Sequence, residues 1–171
     1  MATFEKIAFT EVGAGGQAAI EFTVIPSTFT DLCVKYSFRS TDNTAIDVRL
    51  QFNGSAANIY SERMLYSSGS GSGASAATTG TYTNWTGVTD NNSQTASTFS
   101  NNNLYIPNYA GSNNKSYMVE GVQENNASLA YMYVMAGLWA STATISSIKL
   151  FPDYGNLAQY STATLYGIKK A

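Results

Sequence analysis

Along most of this chain apolar and polar residues alternate with a period of two, the pattern of strands that cover one face and wet the other. The clearest case spans residues 31–39, where Leu32, Val34, Tyr36 and Phe38 share one face and Cys33, Lys35, Ser37 and Arg39 the other. The first set predicts core. After Ser40, Thr41, Asp42 and Asn43 the pattern resumes with Ile46, Val48, Leu50 and Phe52 opposite Asp47, Arg49 and Gln51, predicting an antiparallel hairpin with one wet face. Residues 4–12 and 17–25 predict an earlier strand pair around the glycines at 13, 15 and 16. Asn53-Gly54 predicts a turn, and 59–66 a shorter strand in which Glu62 and Arg63 point to opposite faces.

Residues 67–80 contain almost only Ser, Gly, Ala and Thr, the composition of a flexible linker. Two domains joined there would each be an open set of strands with bare edges, so the stretch predicts a long loop within one domain covering residues 1–171. Weaker strands follow within 81–88 and 96–108, then stronger ones at 114–124 and 129–139. The last is nearly continuous in apolar and aromatic residues and predicts a central strand covered on both faces. Pro26, Pro107 and Pro152 each sit where an apolar run should stop.

The C-terminal stretch predicts another hairpin. Ile148 and Leu150 share a face, Pro152 ends the run, and residues 153–156 supply turn chemistry before a second run. On that run Tyr160, Thr162, Thr164, Tyr166 and Ile168 face one way and Ser161, Ala163, Leu165 and Gly167 the other. Small residues on the second face imply that something packs closely against it. About ten short strands at this spacing, with no segment requiring a helix, predict an all-β antiparallel sandwich, jelly-roll in topology.

Only 12% of the 171 residues are charged, the net charge is -2, and Lys169-Lys170 is the sole basic pair, so no footprint for a phosphate backbone is visible. No apolar run is long enough to span a bilayer, and the N-terminus lacks the basic-then-apolar pattern of a signal peptide. No nucleic-acid or membrane partner is expected, and manufacture in a cytoplasm is. Lone Cys33 suits a reducing compartment and reads as a small strand residue rather than a reactive thiol.

The chain contains no histidine, which removes the commonest general base and the Ser-His and Cys-His arrangements. A single cysteine rules out a thiolate zinc site. Carboxylates remain, but Glu120 and Glu124 on one strand lie about 13 Å apart, too far for a glycosidase pair. The Asp42-Asn43 and Asp90-Asn91-Asn92 clusters read as turns before they read as calcium ligands. No catalytic, cofactor or metal residues are assigned, and no enzyme activity is expected. Tyr82 and Trp85, rings in a polar stretch, are candidates for contact with a partner or a glycan, with Trp85 as an end cap of the sandwich being the plainer reading. Trp139 reads as core. Phe4 and Ile7, in a first strand with more apolar residues than alternation needs, are candidates for an intersubunit contact.

The sequence SSIKLFPDYGNLAQYSTATLYGI, preceded by YMVEGVQENNASLAYMYVMAGLWAS, resembles the C-terminal half of small β-sandwich structural proteins of tailed bacteriophages, notably those of cyanobacteria and other aquatic hosts. The opening FEKIAFTEVGAGGQAAIEFTVIPSTFTDLCVKYSFRS is similar to their first strands. Such proteins occur as head decoration, or cement, proteins and as tail-fibre modules. The resemblance implies a virion part. The expected role is a decoration protein on the outer capsid surface, bound to the major capsid protein and to itself as a homo-trimer. The competing expectation is a receptor-binding module that takes host-surface glycan.

Overall fold

The computed structural model describes residues 3–44, 46–83 and 85–169 and shows an all-β sandwich without helices among them. Its strands are β1 (Thr3–Glu11), β2 (Ile20–Phe22), β3 (Asp31–Ser37), β4 (Ile46–Phe52), β5 (Tyr60–Ser68), β6 (Gly71–Gly80), β7 (Val88–Thr89), β8 (Asn101–Ile106), β9 (Lys115–Gln123), β10 (Tyr131–Trp139), β11 (Ile148–Pro152) and β12 (Thr162–Lys169). One sheet has the order β1-β12-β3-β8-β9-β10-β5-β6 and the other β2-β11-β4-β7. All of the strand pairs are antiparallel.

Two parts can be separated. β1, β2, β3 and β4 form the first half of a ribbon whose second half, β12, β11, β8 and β7, runs back beside it rung by rung. Winding that ribbon places alternate rungs in opposite sheets. β5, β6, β9 and β10 are additions that extend the larger sheet beyond β8. Between the sheets the inward residues form one buried cluster, with Leu32, Val34, Phe38, Val48, Leu50, Phe52, Leu104, Ile148 and Leu165 wholly inaccessible. Phe52 is its aromatic centre, within 5.5 Å of the rings of Tyr117 and Trp139.

The winding corrects three expected hairpins. Residues 17–25 do not pair with β1, because only Ile20–Phe22 is extended and it lies on β11 in the other sheet. β3 and β4 also sit in different sheets, as do β11 and β12. Alternation identified Leu32, Val34, Tyr36, Phe38, Val48, Leu50 and Phe52 as inward, the side chain of Ile46 lying outside the described ones, but a strand in either sheet satisfies the same alternation. What decides the matter is that the connections bind one another. Gln17 and Ser40 both bridge to buried Leu157, and the Thr41 N–H donates to the Asn156 carbonyl. These crossovers close one end of the sandwich.

The expected close packing on the small face of β12 is present. The Phe29 ring lies on Gly167, where a Cβ would come within 2.3 Å of it. Pro107 follows β8 and Pro152 ends β11 as read, whereas Pro26 lies beyond the short β2. Asn53 and Gly54 both take positive φ, and the Asn53 side chain clamps the return segment, accepting from the Ser146 and Ser147 N–H groups and donating to the Thr144 carbonyl.

Two side-chain placements differ from expectation. Arg39, assigned to a wet face, is buried at the closed end, and its guanidinium donates to the carbonyls of Asn91, Gln94, Thr95 and Thr98. A charge of this kind is tolerated inside only when its donors are met, and here it holds the 91–98 loop in place. Cys33, also on the outward parity, is covered and donates to Asn103. Burial raises its thiol pKa, in keeping with an unreactive role.

The long loop expected at 67–80 is a strand over most of its length. β6 pairs with β5 from Gly71 opposite Ser68 to Gly80 opposite Tyr60, after a tight connection at Gly69-Ser70. Its side chains are too small for alternation to be visible, while its main chain still meets the donors and acceptors of β5. β10 is central in pairing, between β9 and β5, but it is covered on one face only.

Candidate functional site

Uncovering one face of β10 creates an apolar surface that gathers five exposed large hydrophobic residues, Leu65, Met118, Val122, Met132 and Val134. Tyr133, Met135 and Trp139 point inward, while Met132 and Val134 point out and are 63% and 45% exposed. Register aligns them with outward neighbours on both sides. Met132 lies opposite Val122 of β9, and Val134 opposite Leu65 of β5, which is 64% exposed. Met118 of β9 faces Ala136, and Ala74 of β6 faces Leu65, so the apolar field crosses all four added strands. Arg63 of β5 and Glu120 of β9 stand within it, the latter accepting a hydrogen bond from Asn103. A shallow groove of about 510 Å³ runs over Leu65, Val122, Met132 and Val134 toward the asparagines of β8.

Four strands about 4.8 Å apart and nine residues rising about 3.3 Å each give this face a span of roughly 600 Å². That is the order of the ~800 Å² each partner contributes to a stable protein contact. Its apolar part lies within the range of the largest patch on a typical monomer, about 300–600 Å², a size that is often functional.

The sequence-derived candidates fall elsewhere. Phe4 is on the outward face of β1 at the opposite edge of the same sheet, exposed and edge-on to Tyr166. Ile7 sits at a register shift in β1 and packs against the core, so it does not join Phe4 in one surface. Phe9 is exposed like Phe4.

Tyr82 and Trp85 flank a charged cluster beside β4. Arg49 is paired with Asp153 at 2.7 Å and lies 5.2 Å from the Tyr82 ring centre, and that ring meets Phe151 edge-on. Trp85 is half-buried against the core, its main-chain N–H directed at the Glu62 carboxylate, and its indole lies close enough to Asp47 to favour the ionised carboxyl. Burial pushes the Asp47 carboxyl up to about 6, against the pull of Arg49 and with further push from Asp153 and Glu62. Trp85 thus packs on the core beside Tyr66, Tyr131 and Asp47. Sequence reasoning missed the partners that give the ring a chemical setting, Asp47 and the tyrosines Tyr66 and Tyr131, because they come from three separate strands.

The two Asp/Asn clusters weighed as calcium ligands pack against each other. The Asn92 N–H donates to the Asp42 carbonyl and the Asn91 amide to the Thr44 carbonyl. The Asp42 side chain caps Thr44, which lowers its pKa. Buried Asp90 takes the amides of Gln123 and Asn125 on one oxygen. Groups of three or more acidic, His or Cys side chains suited to a metal do not occur among the described residues.

No known protein family matches this chain, and no curated protein or solved structure is significantly similar to it.

Proposed function

We propose that this protein is a structural subunit of a tailed-phage virion, acting on the head as a decoration protein that binds the major capsid protein and copies of itself. The wound eight-strand ribbon is read as a jelly roll carrying two inserted strand pairs, β5-β6 and β9-β10. The observation that carries the reading is the apolar field over Leu65, Met118, Val122, Met132 and Val134. A face of this extent gains free energy by being covered, at about 25 cal/mol per Å² of apolar area removed from water. A subunit that binds only the assembled shell then stabilises it by mass action, since each contact is lost when the shell opens.

The second apolar site, Phe4 and Phe9 on β1, lies at the far edge of the same sheet. Two unlike patches suit head-to-tail contacts around a closed ring better than one self-complementary patch would, which agrees with a trimer. The receptor-binding alternative draws less support, because the Tyr82 ring is engaged by Arg49 and Phe151 instead of presenting a free face to a sugar.

The test is a cryo-EM map of intact virions, together with rebinding of purified protein to heads stripped of it. Regular density on the shell, and loss of rebinding in Met132→Glu with the fold retained, are the expected results. Density confined to the tail overturns the head assignment. Undiminished rebinding of Met132→Glu overturns the assigned surface.

A further inference from the structure

Where the inner face of the extension meets the start of β4, a cavity of about 200 Å³ opens to solvent between ring systems. Trp85, Tyr66 and Tyr131 line it, each packed against the core on one side and partly accessible on the other. Tyr66 and Tyr131 are cross-strand neighbours with ring centres 6.2 Å apart. Tyr133 and Met64 form its buried wall, and Asp47 supplies its carboxylate.

We propose that this cavity binds a small organic cation, a methylated or quaternary ammonium head, held by the faces of Trp85, Tyr66 and Tyr131 and by the Asp47 carboxylate. Ring faces are the negative side of the aromatic quadrupole, and several converging on one volume attract a weakly hydrated cation. No lysine or arginine lines the cavity. Tyr133 spends its hydroxyl on Asn102, which leaves Asp47, Ser75 and the hydroxyls of Tyr66 and Tyr131 as the polar groups of a lining otherwise made of rings and apolar side chains. A sugar would bury hydroxyls that need partners, whereas a trimethylammonium group asks for none. The site stands apart from the outer face of the extension, so it goes beyond the proposed structural role.

The groups that face Asp47 set the pH behaviour. Arg49 on its own strand favours the ionised form, and Asp153 after β11 and Glu62 of β5 oppose it. Tyr133 of β10 also feels the Asp47 charge. With the carboxyl titrating near 6, the anion is nearly complete at pH 8 and falls to about a tenth at pH 5.

The experiment is titration of the full chain with choline and with 3,3-dimethylbutan-1-ol, its neutral isostere, followed by calorimetry and tryptophan fluorescence. Saturable choline binding at pH 8, about tenfold weaker at pH 5, is expected, with the neutral isostere weaker throughout. Asp47→Asn should lose the pH dependence and the preference for the cation. Tyr131→Leu, which keeps apolar volume but removes a ring face, should lower choline affinity and spare the isostere. Equal binding of the two probes, no choline binding at pH 8, or binding of methyl glycosides in place of choline would each overturn the proposal.

Discussion

Two halves of the larger sheet use the same alternation and put different residues on their outward side. Over β1, β12, β3 and β8 the outward row through the centre reads Phe9, Thr164, Lys35 and Asn103; across β9, β10, β5 and β6 it continues Glu120, Val134, Leu65 and Ala74. The inward rows are buried and mainly apolar in both, with Asn102 as the polar member of one half and Glu62, Lys115 and Gln123 those of the other. The difference therefore has no role in holding the sandwich together. Under the proposed role it belongs to what the outward side of the extension meets.

That separation of roles gives a graded set of expectations. Phe52→Ala removes the ring that Tyr60, Tyr117 and Trp139 pack on, and should cost about 4 kcal/mol in urea denaturation. Arg39→Met leaves the carbonyls of the 91–98 loop without their donor, and should cost about 3 kcal/mol and expose that loop to limited proteolysis. Asp47→Asn acts through pH. The folded carboxyl holds its proton more tightly than the unfolded one, so its favourable contribution is complete below about pH 4 and is lost as pH rises through about 6. The variant should therefore be more stable than the parent at pH 8, by about 2 kcal/mol after allowance for partial exposure, and equal to it at pH 4.

On the outward side of the extension the expected stability effects nearly vanish. Met132→Ser should change unfolding by less than about 0.5 kcal/mol while weakening assembly, measured by rebinding to heads. A large loss of stability there would mean that the extension's outer face is structural after all, and the contrast would fail. The exposed Glu5–Lys169 pair on the β1 edge gives the smallest effect. Glu5→Gln should shift stability by no more than about 0.5 kcal/mol, and less at high salt.

Much of this fold was legible because burial leaves a period-two trace. Leu32, Val34, Tyr36 and Phe38 were identifiable as core, and Gly167 as a site of close packing, from side-chain size alone. The partner of each strand was not legible. Turn residues at 40–43 and 153–156 favour a reversal of direction, and a reversal into the facing sheet uses the same chemistry as a hairpin. β6 was hidden because Gly, Ser and Ala carry no hydrophobic contrast, although they pair as well as any residues. The outward field was misread for a related reason. A run such as Tyr131–Trp139 is apolar on both parities, and sequence cannot say whether the second face is covered by the same chain or left for another. Trp85 could be singled out as a ring in a polar stretch, but Tyr66, Tyr131 and Asp47 join it only through the winding.

The pairing of β1 with β12 sets the order of events during synthesis. Residues 3–11 find their partner in residues 162–169, so β1 waits for β12. β3 waits as well, because β12 lies between it and β1. A nascent chain must therefore hold two edge-exposed strands apart from other chains until translation passes residue 169. Folding that depends on such distant contacts is slow. Loss of the final eight described residues would open the larger sheet in its interior rather than shorten it at the end.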